Sequence, residues 1–160
     1  MLVFIVGTII FLAIDLITKA VFYPRSGFNV IPGILSFEPL DFKNQGAAFG
    51  IFQGHVLPLI LISIVFITIG GVVYWKFKQG RTSTFYNIGC AFFLGGALGN
   101  LYDRIFLGGV RDFLKFDFID FPIFNFADVF LNIGTVMLVI YVLVIYKGKT
   151  KGKLNDSEQN

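Results

Sequence analysis

The segment Val110–Asp128 sets four aspartates among six phenylalanines, in the order VRDFLKFDFIDFPIFNFAD. Apolar surroundings cost a carboxylate much of its solvation, so acids in such a segment need a structural or a chemical reason. Asp117 and Asp120 alternate with phenylalanines, which predicts the solvated edge of an amphipathic surface segment. Asp112 follows a flexible turn that contains two glycines, and Asp128 directly precedes an apolar run. Asp112 and Asp128 are therefore the candidates for chemistry.

Asp112 and Asp128 could act together if the chain brings them to one place. Two close carboxylates in a poorly solvated site cannot both ionise readily, so they share a proton. One is then a base that activates water and the other an acid that protonates a departing amine, which is the chemistry of aspartic peptide hydrolysis. The same acids fit a small ion- or proton-translocating membrane protein, because intramembrane carboxylates often mark ion pathways. Asp128 also fits a purely structural role, since Asn125-x-x-Asp128 resembles a helix-capping arrangement.

The composition narrows the class of protein. The chain has 160 residues, of which 56% are hydrophobic and 14% charged, and its formal net charge is +3. Soluble domains carry about 25% charged residues, and so small a net charge does not predict nucleic-acid binding. A single cysteine, Cys90, excludes an internal disulfide, and a single histidine, His55, leaves the familiar zinc-hydrolase ligand sets incomplete. We expect a membrane protein whose chemistry uses neither a metal nor another cofactor.

Four apolar stretches are each long enough to cross a bilayer, which takes about 20 mostly apolar residues. They lie at about 2–22, 56–75, 82–102 and 129–146. The sequence therefore predicts an all-α polytopic membrane protein with one domain over 1–146, followed by a basic, disordered tail over 147–160. Lysine and arginine are densest in the link at 76–81 and in the tail, so the positive-inside rule places both termini in the cytoplasm. The loops of about 24–55 and 103–128 then lie outside.

This topology gathers the notable polar residues at the outer membrane face. The interiors of the second, third and fourth helices contain no charged residue, which argues against the transport alternative. Asp15 and Lys19 are one helical turn apart near the outer end of the first helix, which predicts an ion pair whose lysine extends outwards to the interface. The first outer loop contains several prolines and glycines and predicts a few short strands or turns on the membrane surface. The phenylalanines of the second outer loop would hold it to the lipid.

Two further motifs accompany these acids. NQGAAFG, at 44–50, combines an amide with small residues, which predicts a tight turn or a close backbone approach. GGALGNLYDR, at 95–104, contains two glycines in GxxxG spacing, which is typical of a close-packing face in a membrane helix. Asn100 could then satisfy polar groups across helices, while Asp103 and Arg104 would cap the helix or form a pair where it leaves the membrane.

Together these residues resemble bacterial signal peptidase II, the lipoprotein signal peptidase, over nearly the whole chain up to about Tyr146. The matching stretches are DLITK at 15–19, NQGAAFG at 44–50, GNLYDR at 99–104, GGVRDF at 108–113 and FNFAD at 124–128. The resemblance implies an aspartic endopeptidase in which Asp112 and Asp128 are the catalytic pair. It implies supporting roles at the site or in stability for Asp15, Lys19, Asn44, Gly46, Asn100, Asp103, Arg104, Asn125 and Ala127. Arg111 occupies a variable position in the family and receives no role.

The same resemblance implies a substrate and a location. Members of that family cleave signal peptides from prolipoproteins just before the diacylglyceryl-modified cysteine, and the cyclic peptide globomycin blocks them. They have four transmembrane helices and a small extracytoplasmic cradle built from strands, which gives the first outer loop a purpose. We therefore expect a monomeric enzyme of the bacterial inner membrane, with its active site at the extracytoplasmic face and in contact with prolipoproteins and membrane lipids.

Overall fold

The structure, a computed structural model, describes residues 1–23, 25–39, 43–46, 51–78 and 83–146. Its elements follow in the order α1 (Leu2–Phe22), β1 (Phe28–Ile31), β2 (Leu35–Phe37), α2 (Val56–Lys78), α3 (Thr84–Leu107), β3 (Leu114–Phe116) and α4 (Phe126–Ile140). A π-helical segment, Tyr141–Tyr146, continues α4. The predicted tail at 147–160, the end of the basic link at 79–81 and the second half of the NQGAAFG motif lie outside the described residues.

Three helices in the described ranges are long and apolar enough to cross a membrane: Leu2–Phe22, Val56–Trp75 and Phe126–Val144. α3 is as long as these, with 24 residues, but it contains more polar side chains. It packs against α1, α2 and α4, and its polar residues Asn87, Asn100 and Asp103 are buried against protein instead of facing lipid. The all-α class with a small sheet is therefore confirmed, and a fourth span stays a prediction.

The predicted span at 56–75 agrees with the structure, and α2 continues beyond it to Lys78. The predicted end of the third helix near residue 102 is wrong, because α3 continues to Leu107. α3 ends at Gly108, whose φ of 70° lies in the left-handed region that glycine adopts without strain. Asp103 and Arg104 therefore belong to the helix and not to the loop after it. α4 begins at Phe126, so Asp128 lies inside its first turn.

Small residues bring α1 and α4 close to α3. A Cβ at Gly95 in α3 would lie 2.7 Å from the Cβ of Phe11 in α1. A Cβ at Gly134 in α4 would lie 2.8 Å from the carbonyl oxygen of Gly89 in α3. Side chains do not tolerate such distances, so glycine sets the spacing of these helices. The packing face predicted from the GxxxG motif is confirmed.

The sheet has the order β1-β2-β3, with antiparallel pairing throughout. The first outer loop was predicted to contain a few short strands or turns, and the structure shows two strands there, β1 and β2. β2 pairs with β3 from the loop between α3 and α4, in a register that sets Phe37 opposite Leu114. Phe113 is fully buried and stacks on Phe37 at a centroid distance of 5.6 Å, while Phe22 at the end of α1 lies 5.9 Å away. This phenylalanine therefore joins the sheet to the helices instead of holding the loop to lipid, whereas Phe118 is 61% exposed.

Candidate active site

The first turn of α4 fixes Asp128 through a capping box. The backbone N–H of Asp128 donates to Asn125 Oδ1 at 3.1 Å, and the backbone N–H of Asn125 donates to Asp128 Oδ2 at 3.1 Å. This reciprocal pair satisfies two donors that a helix start would otherwise leave unpaired. The predicted cap is confirmed, and it orients the carboxylate so that Oδ1 of Asp128 meets another partner.

Asparagine amides join Asp112 to Asp128. Asn125 Nδ2 donates to Asp112 Oδ1 at 2.6 Å, and Asn100 Nδ2 donates to Asp128 Oδ1 at 2.8 Å. The two amides also bond each other, because Asn125 Nδ2 donates to Asn100 Oδ1 at 3.1 Å. The segment between α3 and α4 therefore folds back on itself, and the aspartates at its two ends meet around one pair of amides.

A third amide reaches Asp112 from the first loop. Asn44 Nδ2 donates to Asp112 Oδ2 at 2.8 Å. The backbone of Asn44 exchanges two hydrogen bonds with Val110, each 2.8 Å long, and this antiparallel bridge fixes its position. The backbone N–H of Gly46 donates to Asn44 Oδ1 at 2.9 Å, and a Cβ at Gly46 would lie 3.1 Å from the Ile51 carbonyl oxygen. The turn therefore has little room for a side chain at Gly46.

Lys19 was predicted to extend outwards, but its side chain is fully buried. Its Nζ lies 2.8 Å from Asp15 Oδ2 and 3.6 Å from Asp103 Oδ2, and it donates to Asn100 Oδ1 at 2.9 Å. The ion pair with Asp15 is confirmed. The outward path is wrong because these acceptors replace the water that a buried ammonium would otherwise need. Asp15 Oδ1 also accepts a hydrogen bond from the backbone N–H of Ala127 at 2.9 Å, which ties α1 to the start of α4.

Arg111 forms a bidentate ion pair with Asp103. Arg111 Nη2 lies 2.8 Å from Asp103 Oδ1, Nε donates to Oδ2 at 3.1 Å, and the Arg111 backbone N–H donates to Oδ2 at 3.0 Å. These contacts fasten the residue immediately before Asp112 to the last turns of α3. Sequence reasoning assigned Arg111 no role. An arginine next to a candidate acid in an apolar segment was the available signal.

Arg104 lines a cavity together with Asp112 and Asp128 and is not part of the ion pair between Arg111 and Asp103. Its Nε is buried and has no hydrogen-bond partner among the described residues. Its charge interacts with the carboxylates of Asp128 and Asp112. Arg104 therefore supplies a positive charge to the pair while its guanidinium keeps donors for a bound molecule.

The environment of Asp112 favours its protonated form. Burial raises the pKa of Asp112 to about 7, and the negative charge of Asp128 contributes to the rise. Hydrogen bonds from Asn44 and Asn125 act in the opposite direction. A carboxyl that keeps its proton near neutral pH can serve as an acid there.

The two middle aspartates of the segment lie elsewhere. Asp117 and Asp120 are exposed, as predicted, and Asp117 Oδ1 accepts a hydrogen bond from Ser36 Oγ at 2.8 Å. Neither lines the cavity that contains Asp112 and Asp128.

That cavity has a volume of about 440 Å³ and two kinds of wall. Its polar wall consists of Asn44, Asn100, Arg104, Asp112, Asp128 and Asn132, together with Gly46. Its apolar wall includes Phe116, Phe121, Pro122, Phe124, Val129 and Ile133. Such a site suits a ligand that has both a polar reacting group and an apolar part. Within the described ranges, no three or more His, Cys, Asp or Glu side chains come together in a way that could hold a metal ion.

Comparison with known proteins assigns the chain to a family. The sequence model of the family described as signal peptidase (SPase) II matches residues 7–144. The chain belongs to this family. A lipoprotein signal peptidase of Clostridium novyi (strain NT) is 43% identical over 118 residues, which are 72% of this chain and 77% of that protein. One of Listeria monocytogenes serotype 4a (strain HCC23) is 37% identical over 151 residues, covering 91% of this chain and 95% of that protein.

A solved structure supports the same assignment. It is described as a bacterial membrane enzyme determined by the in meso method at 1.9 Å resolution. The two chains are 31% identical and superpose with a TM-score of 0.75, over 88% of this chain and 92% of the other. The chain is therefore a multi-pass membrane protein of a peptidase family.

Membership in the signal peptidase II family confirms the resemblance that the five motifs indicated. Each residue that the resemblance assigned to the site or its support lies in the described part of the chain. Hydrogen bonds and ion pairs connect them where α1 and α3 end and α4 begins, except for Arg104, which lines the same cavity. Their roles in the reaction stay predictions.

Proposed function

We propose that this chain is an aspartic endopeptidase that removes the signal peptides of prolipoproteins by cleaving before the diacylglyceryl-modified cysteine. The main support is the geometry of Asp112 and Asp128, which share Asn125 at the polar wall of a half-apolar cavity. The names of the relatives, lipoprotein signal peptidase, supply the substrate class. We propose that the enzyme acts as a monomer and without a cofactor.

The proposed reaction uses the pair in its singly protonated state. The ionised carboxylate takes a proton from water while the water oxygen bonds to the scissile carbonyl carbon, and the protonated carboxyl donates its proton to the carbonyl oxygen. The resulting diol collapses when the amide nitrogen takes the proton from the first carboxyl and the C–N bond breaks. A diol hydroxyl then returns its proton to the second carboxylate. The products are a peptide acid and the free amino group of the lipid-modified cysteine, and the pair is again singly protonated.

The buried charges support this protonation state. Lys19 and Arg111 balance Asp15 and Asp103, with which they form the ion pairs described above. Arg104 then balances a pair of carboxyls that has a single negative charge. A fully ionised pair would leave an uncompensated charge in a poorly solvated site, which is costly.

We place the site at the extracytoplasmic face of the bacterial inner membrane, with both termini in the cytoplasm. The cluster lies at the end of the bundle where α1 and α3 end and α4 begins, opposite the end at which α2 finishes and α3 begins. A diacylglyceryl-modified substrate is anchored in the outer leaflet and would reach the site by lateral diffusion. Water can reach a site at this depth, which hydrolysis requires.

The test compares four asparagine variants of the purified protein on a diacylglycerylated prolipoprotein peptide. We expect Asp112→Asn and Asp128→Asn to lower the cleavage rate by at least about a hundredfold, because each removes a proton-transfer group. Asp117→Asn and Asp120→Asn are the matched controls and should keep most of the activity. Globomycin should stop cleavage by the unmodified protein. Circular dichroism and the unfolding temperature check that every variant is folded.

Two outcomes would contradict the proposal. If Asp117→Asn or Asp120→Asn lost as much activity as the first two variants, the choice of the pair would be wrong. If Asp112→Asn kept an ion flux in proteoliposomes while no variant cleaved peptide, the transport alternative would replace the peptidase. The structure does not favour that alternative, because in the described helices no charged residue lies between Val56 and Trp75 or after Asp128 in α4.

A further inference from the structure

Asn132 is a polar residue of the cavity that the reaction described above does not use. It lies in α4, four residues after Asp128, and lines the same cavity. Its side chain is exposed, and Nδ2 donates to the backbone oxygen of Asp128 at 2.9 Å. The second N–H of this amide and its Oδ1 have no protein partner in the part of the chain that the structure describes.

An amide at this position is costly unless a ligand or water meets it. The span Phe126–Val144 has a mean hydropathy of 2.1, and the neighbouring side chain of Ile133 is exposed and apolar. Thr135 is the other polar exposed side chain on this part of α4, and it satisfies its hydroxyl by donating to Leu131 O at 2.7 Å. Asn132 has hydrogen-bonding capacity left over, and an unmade hydrogen bond in an apolar setting is unfavourable.

The distance from Asp128 to Asn132 is compatible with the distance from the scissile bond to the nearer ester group in the substrate of the proposed function. Four residues of helix rise by about 6 Å, and this turn runs from the aspartates towards the interior of the membrane. In a diacylglyceryl-modified cysteine, the nearer ester carbonyl carbon is separated from the scissile carbonyl carbon by the cysteine side chain, the thioether and part of the glycerol. A chain of that length reaches at most about 10 Å. An ester group can therefore lie beside Asn132 while the scissile bond lies beside Asp112 and Asp128.

Apolar side chains line much of the rest of the cavity. Phe121, Phe124, Val129 and Ile133 line the apolar side and offer surfaces to the acyl chains that continue beyond the ester. We propose that Asn132 Nδ2 donates a hydrogen bond to an ester carbonyl of the diacylglyceryl group, and that it thereby selects ester-linked lipid on the substrate. This inference rests on the proposed function.

The test uses two lipopeptides that are identical except that one has ester-linked acyl chains and the other has ether-linked alkyl chains, which lack the carbonyl oxygens. We expect the unmodified protein to prefer the ester by about three- to tenfold in kcat/KM, mainly through KM, which corresponds to one neutral hydrogen bond. In Asn132→Leu, kcat/KM for the ester substrate should fall to the value for the ether, so that the ratio becomes close to one. Thr135→Val is the matched control on the same helix and should keep the ratio.

The result separates this inference from the proposed function. An ester preference that persists in Asn132→Leu would overturn the role of Asn132, as would equal cleavage of both lipopeptides by the unmodified protein. Failure of the unmodified protein to cleave either lipopeptide would overturn the proposed function and this inference with it. Because the comparison is a ratio within each variant, a general loss of folded protein does not affect it.

Discussion

A substitution of Arg111 tests whether its ion pair with Asp103 positions the neighbouring residue Asp112. The perturbation is Arg111→Met, which keeps a long side chain and removes the bidentate contact with Asp103, at 2.8 and 3.1 Å. Asp103 is fully buried, and Arg111 is only 15% exposed. After the change, Asp103 keeps the backbone N–H of residue 111, at 3.0 Å, and the more distant Nζ of Lys19, at 3.6 Å.

The expected magnitude follows from these contacts. Removing one partner of a buried ion pair costs about 3–5 kcal/mol, and the two remaining contacts of Asp103 place this case at about 3 kcal/mol. For a chain of this size that corresponds to an unfolding temperature lower by roughly 6–12 °C. We also expect kcat to fall by about tenfold with little change in KM, because Asp112 is displaced while the cavity that binds the substrate is retained.

The assay is a double-mutant cycle of Arg111→Met and Asp103→Asn, measured as the free energy of unfolding in detergent. If the arginine acts through Asp103, the double variant should be less destabilised than the sum of the single variants by at least about 1 kcal/mol. Additive effects would refute the reasoning, and so would an Arg111→Met variant with unchanged stability. Arg111→Lys retains the charge without the bidentate geometry, so its stability should lie between those of the unmodified protein and Arg111→Met.

Two further predictions concern the pH dependence and the helix packing. We expect cleavage to decline as the pH rises through about 7, where Asp112 loses its proton. The Asn44→Ala variant removes a hydrogen bond that lowers the pKa of Asp112, so the decline should move to higher pH. A pH profile of kcat/KM that moves to lower pH in this variant would contradict the prediction. We expect Gly99→Ala to destabilise the protein by about 1–3 kcal/mol, because the added Cβ would collide with the Asp15 carboxylate. Gly71→Ala is the control and should not destabilise the protein, because there is open space around Gly71. Thermal unfolding of both variants tests the difference.

The sequence predicted the helices where the reason for them was local. α1 has the predicted ends, because a long apolar stretch in a membrane satisfies its backbone only as a helix. The capping box of Asn125 and Asp128 was also predicted, since both partners lie within one turn. The end of α3 was predicted too early, because Asp103 and Arg104 were placed where the helix leaves the membrane. Asp103 instead stays in the helix, paired with Arg111 from the loop and approached by Lys19 from α1.

The sheet was also predicted only in part, because it depends on residues that are far apart in the sequence. Short strands were predicted in the first loop, but the third strand comes from the other loop, and Phe113 was expected at the lipid surface. Its burial depends on Phe37 and Phe22, which are far from it in the sequence. The pattern of apolar residues alone does not distinguish a ring that faces lipid from one that faces protein.

The sequence by itself determined the membrane class and the approximate positions of the helices, and the resemblance of its motifs named the residues of the candidate site. The tertiary structure decided which of these residues touch. Lys19 extends inwards and not outwards because its partners Asn100 and Asp103 are contributed by another helix. Arg111 pairs with Asp103 because the fold places the two residues side by side. A helix depends on contacts between near neighbours, whereas a buried charge depends on partners that only the folded chain brings within reach.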